Sequence, residues 1–184
     1  MGGGEESDGL VVVRCQLGER AVFGALVGRW HEPLWRFVRG MVGPPDLADD
    51  LAQEVWVAVV RGLPGLREPE RFAAWLFTVA RRTVTDHLRR TYRAPETRVE
   101  EPEDSADADS GDGLGDLLTV MEIRAGLSGL PPLEREVLIL FHLQDLTLAT
   151  CADVLGVPPG TVKSRLHRAR RLLRTTLVER GYEA

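Results

Sequence analysis

Between Leu155 and Gly160 the chain reads L-G-V-P-P-G, and no helix can pass through it. Gly156 suits the positive φ that often ends a helix, while Pro158 and Pro159 can begin a helix but not continue one. On the N-terminal side, Leu148, Cys151, Ala152 and Leu155 recur at spacings of three and four, one apolar helix face. On the C-terminal side, Val162, Leu166, Ala169 and Leu173 do the same. At about 100° per residue, Thr161, Ser164, Arg165, Arg168 and Arg171 then fall on the opposite face. A short helix, a glycine turn and a second helix with a basic, hydroxyl-bearing outer face is the arrangement that sets a recognition helix in the DNA major groove. Arginine suits that task because its planar fork pairs with guanine O6 and N7. A basic amphipathic face is also a common solvated surface, so the motif has to be weighed with the rest of the chain.

The net charge of −5 looks wrong for a nucleic-acid binder until it is divided along the chain. Residues 1–95 hold 13 Arg against 12 acids, and residues 119–184 hold nine Lys and Arg against seven acids. Residues 96–118 hold nine acids and one Arg. The acidity therefore belongs to one segment with slightly basic flanks. A length of 184 residues allows one ordinary domain or two small ones. No apolar run approaches the roughly 18 residues needed to span a bilayer. Met1 to Gly9 is glycine-rich and acidic, unlike a secretory signal, so a cytoplasmic location with no membrane contact of its own is expected. Cys15 and Cys151 form neither a disulfide framework nor a metal-ligand spacing. Cys151, on the inner helix face, is most simply a small buried apolar residue.

Residues 1–18 read as a disordered tail. A helix is predicted over Glu19–Val42 from Val22, Leu26, Trp30, Leu34, Phe37, Val38 and Met41, with a kink or break at Pro33. Gly43-Pro44-Pro45 is a stop, and Asp46 is a suitable N-cap for a second helix to about Arg61. Its inner face uses Leu47, Leu51, Val55 and Val59; its outer face shows Asp49, Asp50, Gln53 and Glu54. After a loop over Gly62–Pro69, a third helix runs from Glu70 to about Tyr92, with Arg81, Arg82, Arg89 and Arg90 in its basic second half. Residues 94–113 are acidic, small and proline-bearing, which predicts a flexible linker. A second helical domain follows over 114–178: one helix on Leu117, Val120, Met121 and Leu127, another from Pro132 to about Leu143, the helix-turn-helix, and a tail over 179–184. No segment alternates with period two long enough for a strand. The fold class is all-α: two small helical domains joined by an acidic linker.

Four stretches in this order resemble the extracytoplasmic-function class of bacterial sigma factors, the small two-domain initiation factors of RNA polymerase. Ala48–Trp56 (A-D-D-L-A-Q-E-V-W) is similar to that family's acidic A-E-D-L-x-Q-E-V-F helix. Phe72–Arg90 looks like its F-x-x-W-L-x-x-I-A-R-N-x-x-x-D-x-x-R-R helix, with Arg82 where the family usually has asparagine. Leu130–Leu138 resembles its L-P-x-x-x-R-x-V-L segment, and Val157–Arg170 its V-P-x-G-T-V-K-S-R-L-x-R-A-R recognition helix.

The resemblance implies that 19–93 is the region 2 domain and 114–178 the region 4 domain. The partners implied are core RNA polymerase, through the coiled-coil of its largest subunit and its flap, promoter DNA, and an anti-sigma factor. Asp49, Asp50, Gln53 and Glu54 would meet polymerase. Phe72, Trp75, Arg81, Arg82, Arg89 and Arg90 would serve the −10 element as it opens, the rings by stacking and the arginines on phosphates. Rings at helical spacing are also ordinary core residues. Ser164, Arg165 and Arg168 would read the −35 element, with Thr161 and Lys163 on phosphates. No cofactor and no metal is expected. Two other classes stand beside this reading. A stand-alone helix-turn-helix regulator would bind operators without polymerase, leaving the acidic helix unexplained. An enzyme finds no support, because His31, His87, His142 and His167 are scattered without a triad, metal spacing or phosphate loop.

Overall fold

The computed structural model describes residues 6–93 and 125–179, and within them every regular element is helical. The first domain has four helices: α1 (Asp8–Gln16), α2 (Phe23–Val42), α3 (Pro45–Gly62) and α4 (Phe72–Arg93). The second contains α5 (Pro132–Leu138), a π-helical turn (Ile139–Leu143), α6 (Leu148–Leu155) and α7 (Pro159–Glu179). Residues 125–128 are also helical. The linker read over 94–113, the start of the helix read on Leu117, Val120 and Met121, and the tip of the C-terminal tail lie outside the described residues.

The first domain is built on rings. Phe37, Phe72 and Phe77 are fully buried. Phe37 and Phe77 meet edge to face at 5.5 Å, Trp30 and Phe77 at 6.1 Å, and Trp30 and Phe72 at 6.2 Å. Such pairs add about 0.5–1.5 kcal/mol beyond area burial. Leu51, Val55 and Val59 close this core from α3, as their spacing predicts. The second domain is built on aliphatic side chains: Val137, Ile139, Leu140, Cys151, Val154, Val162, Leu166 and Ala169 are buried.

Three sequence expectations are corrected here. The tail read as disordered over 1–18 contains α1. Ser7 caps it by accepting from the Leu10 N–H at 3.4 Å, and Val11 and Val12 are buried. Asp8 accepts from Trp30 Nε1 at 3.0 Å and pairs with Arg29, and Gln16 Nε2 donates to the carbonyls of Leu63 and Leu66 at 2.9 and 2.8 Å. A nine-residue helix is marginal alone, so tertiary contacts supply its stability. Pro33 does not break α2, which runs unbroken from Phe23 to Val42 while Leu34, Phe37 and Val38 bury its inner face. Asp46 is not the N-cap of α3: Pro44 occupies that place, Pro45 opens the helix, and Asp46 stands exposed in the first turn, where its charge complements the dipole.

Candidate nucleic-acid and polymerase surfaces

The helix-turn-helix forms as its residues dictate. Thr147 caps α6, its Oγ1 accepting from the Thr150 N–H at 3.1 Å. Gly156 stands at φ 65°, and Val157 N–H returns to the Ala152 carbonyl at 3.1 Å, which turns the chain out of α6. α7 then starts at Pro159 and buries Val162, Leu166 and Ala169. Lys163, Ser164 and Arg168 are exposed on its outer side, while Thr161 and Arg165 are half-buried. Ser164 Oγ donates to the Thr161 carbonyl at 2.9 Å, which leaves its lone pairs outward.

Two carboxylates of α5 stand behind this outer face. Glu134, buried, forms an ion pair with Arg168, its Oε1 3.3 Å from Nε. Glu136, with its side chain only 5% exposed, accepts from Arg81 Nε of α4 at 2.7 Å. Burial pushes the Glu136 carboxyl up from its ordinary value; Arg81 and the nearby charge of Arg165 oppose that rise. Glu136 is therefore paired with an arginine of α4 and also feels the charge of one on α7. Neither glutamate was legible as a site residue. In L-E-R-E-V-L the two lie about 200° apart on a helix, so no single buried face predicts both.

On α4, Arg82, Arg89 and Arg90 are exposed, as a phosphate-binding face requires. Arg82 and Arg89 join Arg81, Trp75 and Thr78 in lining a cleft of about 580 Å³, and Arg90 lies outside it. Phe72 corrects the sequence reading: it is fully buried among Trp30 and Trp75 and offers no ring to a base. Trp75, half-buried on the cleft wall, is the aromatic residue of the pair that solvent reaches.

Asp49, Asp50, Gln53 and Glu54 all stand exposed along α3. Asp49 accepts from Trp35 Nε1 at 2.7 Å, so it is already partnered. Val57 and Val60, 48% and 54% exposed, extend the same helix with apolar surface that the charge pattern did not point to. Among the described residues, no group of three or more His, Cys, Asp or Glu side chains could hold a metal ion, and no helix is long and apolar enough to cross a membrane. His142 accepts from Arg170, and burial followed by that arginine holds its imidazole below the ordinary value.

A helical bundle with an acidic face, followed by a helix-turn-helix with a basic one, defines a two-module sigma factor of the sigma-70 type. Residues 26–94 match the family model for sigma-70 region 2, and residues 121–173 that for sigma-70 region 4. The chain is 34% identical over 151 residues to the ECF RNA polymerase sigma factor SigC of Mycobacterium tuberculosis, covering 81% of this chain and 80% of that one. It is 26% identical over 176 residues to the ECF sigma factor SigW of Bacillus subtilis, covering 90% and 94%. Its fold matches CnrH, solved in complex with the cytosolic domain of CnrY, at a TM-score of 0.72 and 24% identity over 96% of this chain and all of that one. It also matches the sigma factor RpoE of Bartonella quintana, solved with the anti-sigma factor NepR, at 0.71 and 24% identity over 84% and 96%. The chain belongs to the extracytoplasmic-function sigma factors, non-enzymatic regulators that bind core RNA polymerase and promoter DNA and direct promoter-specific initiation.

Proposed function

We propose a division of that work among named residues. α3 docks on a basic surface of core polymerase, the coiled-coil of its largest subunit, through Asp50, Gln53 and Glu54. Their exposure supports this, and Asp49 contributes less because Trp35 already holds it. Arg81, Arg82, Arg89 and Arg90 of α4 hold phosphates of the −10 element, a sequence-blind and salt-sensitive contribution. Trp75 is the ring available to an unstacked base. In α7, Ser164, Arg165 and Arg168 read the −35 duplex, while Thr161 and Lys163 take phosphates and set register. The domains divide at about residues 8–93 and 114–178, and the segment between spans the two promoter elements. An anti-sigma factor is a further partner, the site of action is the cytoplasm, and no catalytic step belongs to the chain.

The observation that carries this reading is the exposed trio Lys163, Ser164 and Arg168 on a helix whose N-terminus follows an αL glycine turn. Run-off transcription with core polymerase on genomic fragments, with start sites mapped, tests it. Start sites sharing one −35 and one −10 sequence are expected. Specific duplex binding by the free protein, with no dependence on polymerase, would favour an operator-binding regulator instead.

A further inference from the structure

We infer that Glu134 of α5 is a positioning residue for −35 recognition: it holds Arg168 of α7 in the pose that reads a base edge and keeps it from the phosphates. This rests on the reading role proposed above for Arg168. Glu134 is buried where α5 packs along α7, and its Oε1 stands 3.3 Å from Arg168 Nε. A carboxylate taken out of water needs a partner. The helix that carries this one does not supply the usual partner. Glu134 is the third residue of α5, where a glutamate commonly reaches back to the N–H of the N-cap residue. Here the N-cap is Pro131, which has no N–H to give. The first turn of a helix favours a negative charge, but it does so equally well for a side chain left in water. The dipole therefore explains why an acid stands at this position and not why it is buried against α7. The pair with Arg168 explains the burial.

The pair acts on Arg168 in two ways. The first is geometric. A guanidinium carries its five N–H donors in one plane, and the carboxylate engages it at Nε alone. Among the described residues, neither Nη atom of Arg168 has a hydrogen-bond partner, and the side chain is 62% exposed. The Nη edge is thus left for the paired acceptors O6 and N7 of guanine. An arginine held in advance also has less side-chain freedom to lose on binding, an effect worth about two- to tenfold in affinity. The second is electrostatic. A bare arginine on the outer face of a recognition helix is drawn to phosphate, a contact without sequence information. Beside Glu134 its charge is partly offset, which weakens its attraction to a charged phosphate more than to a neutral base edge. Two neighbours on α7 serve as controls. Lys163 is exposed, makes no ion pair with a described residue and keeps its full charge for phosphate. Arg165 lacks such a partner too, because the other carboxylate of α5, Glu136, pairs with Arg81.

The test uses the full chain with core polymerase on promoters substituted singly across the −35 element. Discrimination is the ratio of initiation on the preferred promoter to that on each substituted one. Glu134→Gln keeps the side chain's size and removes its charge. It should lower discrimination about two- to tenfold at the positions that Arg168→Ala also affects, and leave the other positions unchanged. Initiation on the substituted promoters should rise, because the released arginine reaches phosphate on any sequence. Glu134→Asp keeps a charge in the first turn of α5 but withdraws it by one methylene, so it should act as Glu134→Gln does. An aspartate variant that discriminates like wild type would mean that only the helix dipole is served, and overturns the inference. With Arg168→Ala already present, Glu134→Gln should change preference no further, since the two act as one unit. Should the glutamine variant fail to fold by circular dichroism, the aspartate variant carries the decision. Initiation lowered evenly on all promoters by the folded variants, with preference unchanged, also overturns the inference. If Arg168→Ala alters preference and neither Glu134 variant does, the −35 reading stands and this inference alone falls. If Arg168→Ala alters nothing, the reading assigned to Arg168 falls and takes this inference with it.

Discussion

The two basic helices hold arginines in opposite ways. On α7, Arg168 is backed by Glu134, a carboxylate of its own domain. On α4, Arg81 is held by Glu136, a carboxylate from the other domain. Backing from within travels with the domain wherever it goes, and it can orient a guanidinium for base reading as well in the free as in the bound protein. Holding from outside depends on how the domains are docked and is lost when they part. α7 is thus built to present a fixed pattern to a duplex, while α4 offers exposed charge, with Arg82, Arg89 and Arg90 outside the boundary pair. Sequence readout needs the first and phosphate neutralisation is satisfied with the second.

Several experiments would break or sharpen this contrast, and the largest effect lies on neither basic helix. Asp50→Arg with Glu54→Arg should weaken core association by at least about a hundredfold, because like-charge contacts across an interface cost several kcal/mol. The circular dichroism spectrum should match wild type, since both side chains are exposed. Normal association would mean that this face is merely solvated and that polymerase docks elsewhere.

Next comes the difference between the two cores that carry these helices. Phe77→Ala should destabilise the first domain by about 3–5 kcal/mol in urea melts, because it removes one ring from two edge-to-face pairs. Leu140→Ala in the aliphatic second domain should cost about 2–5 kcal/mol. A loss below about 1 kcal/mol in either would contradict the packing described, being less than a buried large-to-small change normally costs.

A smaller effect separates the two thiols. Burial pushes the Cys151 thiol up from 9.0 to about 11 and raises that of Cys15 as well. The sign follows from proton binding: folding favours protonated Cys151, so this stability is fully present below pH 9 and disappears as pH climbs through about 11. At pH 8, iodoacetamide should modify partly exposed Cys15 before fully buried Cys151, with denaturant abolishing the difference. Equal rates in the native protein would place Cys151 at the surface.

Much of this was written in the chain. The L-G-V-P-P-G turn, the inner face of α3 and the basic half of α4 depend on local signals, spacing and turn chemistry, and they formed as read. What escaped depends on partners distant in sequence. α1 carries three consecutive valines with weak helix preference; its Ser7 cap was the one local signal, and Trp30, Arg29, Leu63 and Leu66 supply the rest. Phe72 has the spacing of either a core ring or a stacking ring, and only the positions of Trp30 and Trp75 decide between them. Glu134 and Glu136 carried no site signal because nothing in L-E-R-E-V-L names the arginines they meet.

The central claim is that α7 reads the −35 element and α4 does not. Initiation by reconstituted polymerase on a library randomised across the −35 element tests it most directly, comparing Arg165→Ala/Arg168→Ala, Arg82→Ala/Arg89→Ala and Lys163→Ala. Each α7 arginine should contribute about 1–3 kcal/mol of discrimination, so their loss should relax the preferred −35 sequence at one or two positions per residue. Lys163→Ala should lower all sequences alike and reduce the salt slope by roughly one unit. The α4 double variant should scale initiation down with the −35 preference unchanged. A changed −35 preference in the α4 variant, or an unchanged one in the Arg165/Arg168 variant, would contradict the assignment of reading to α7.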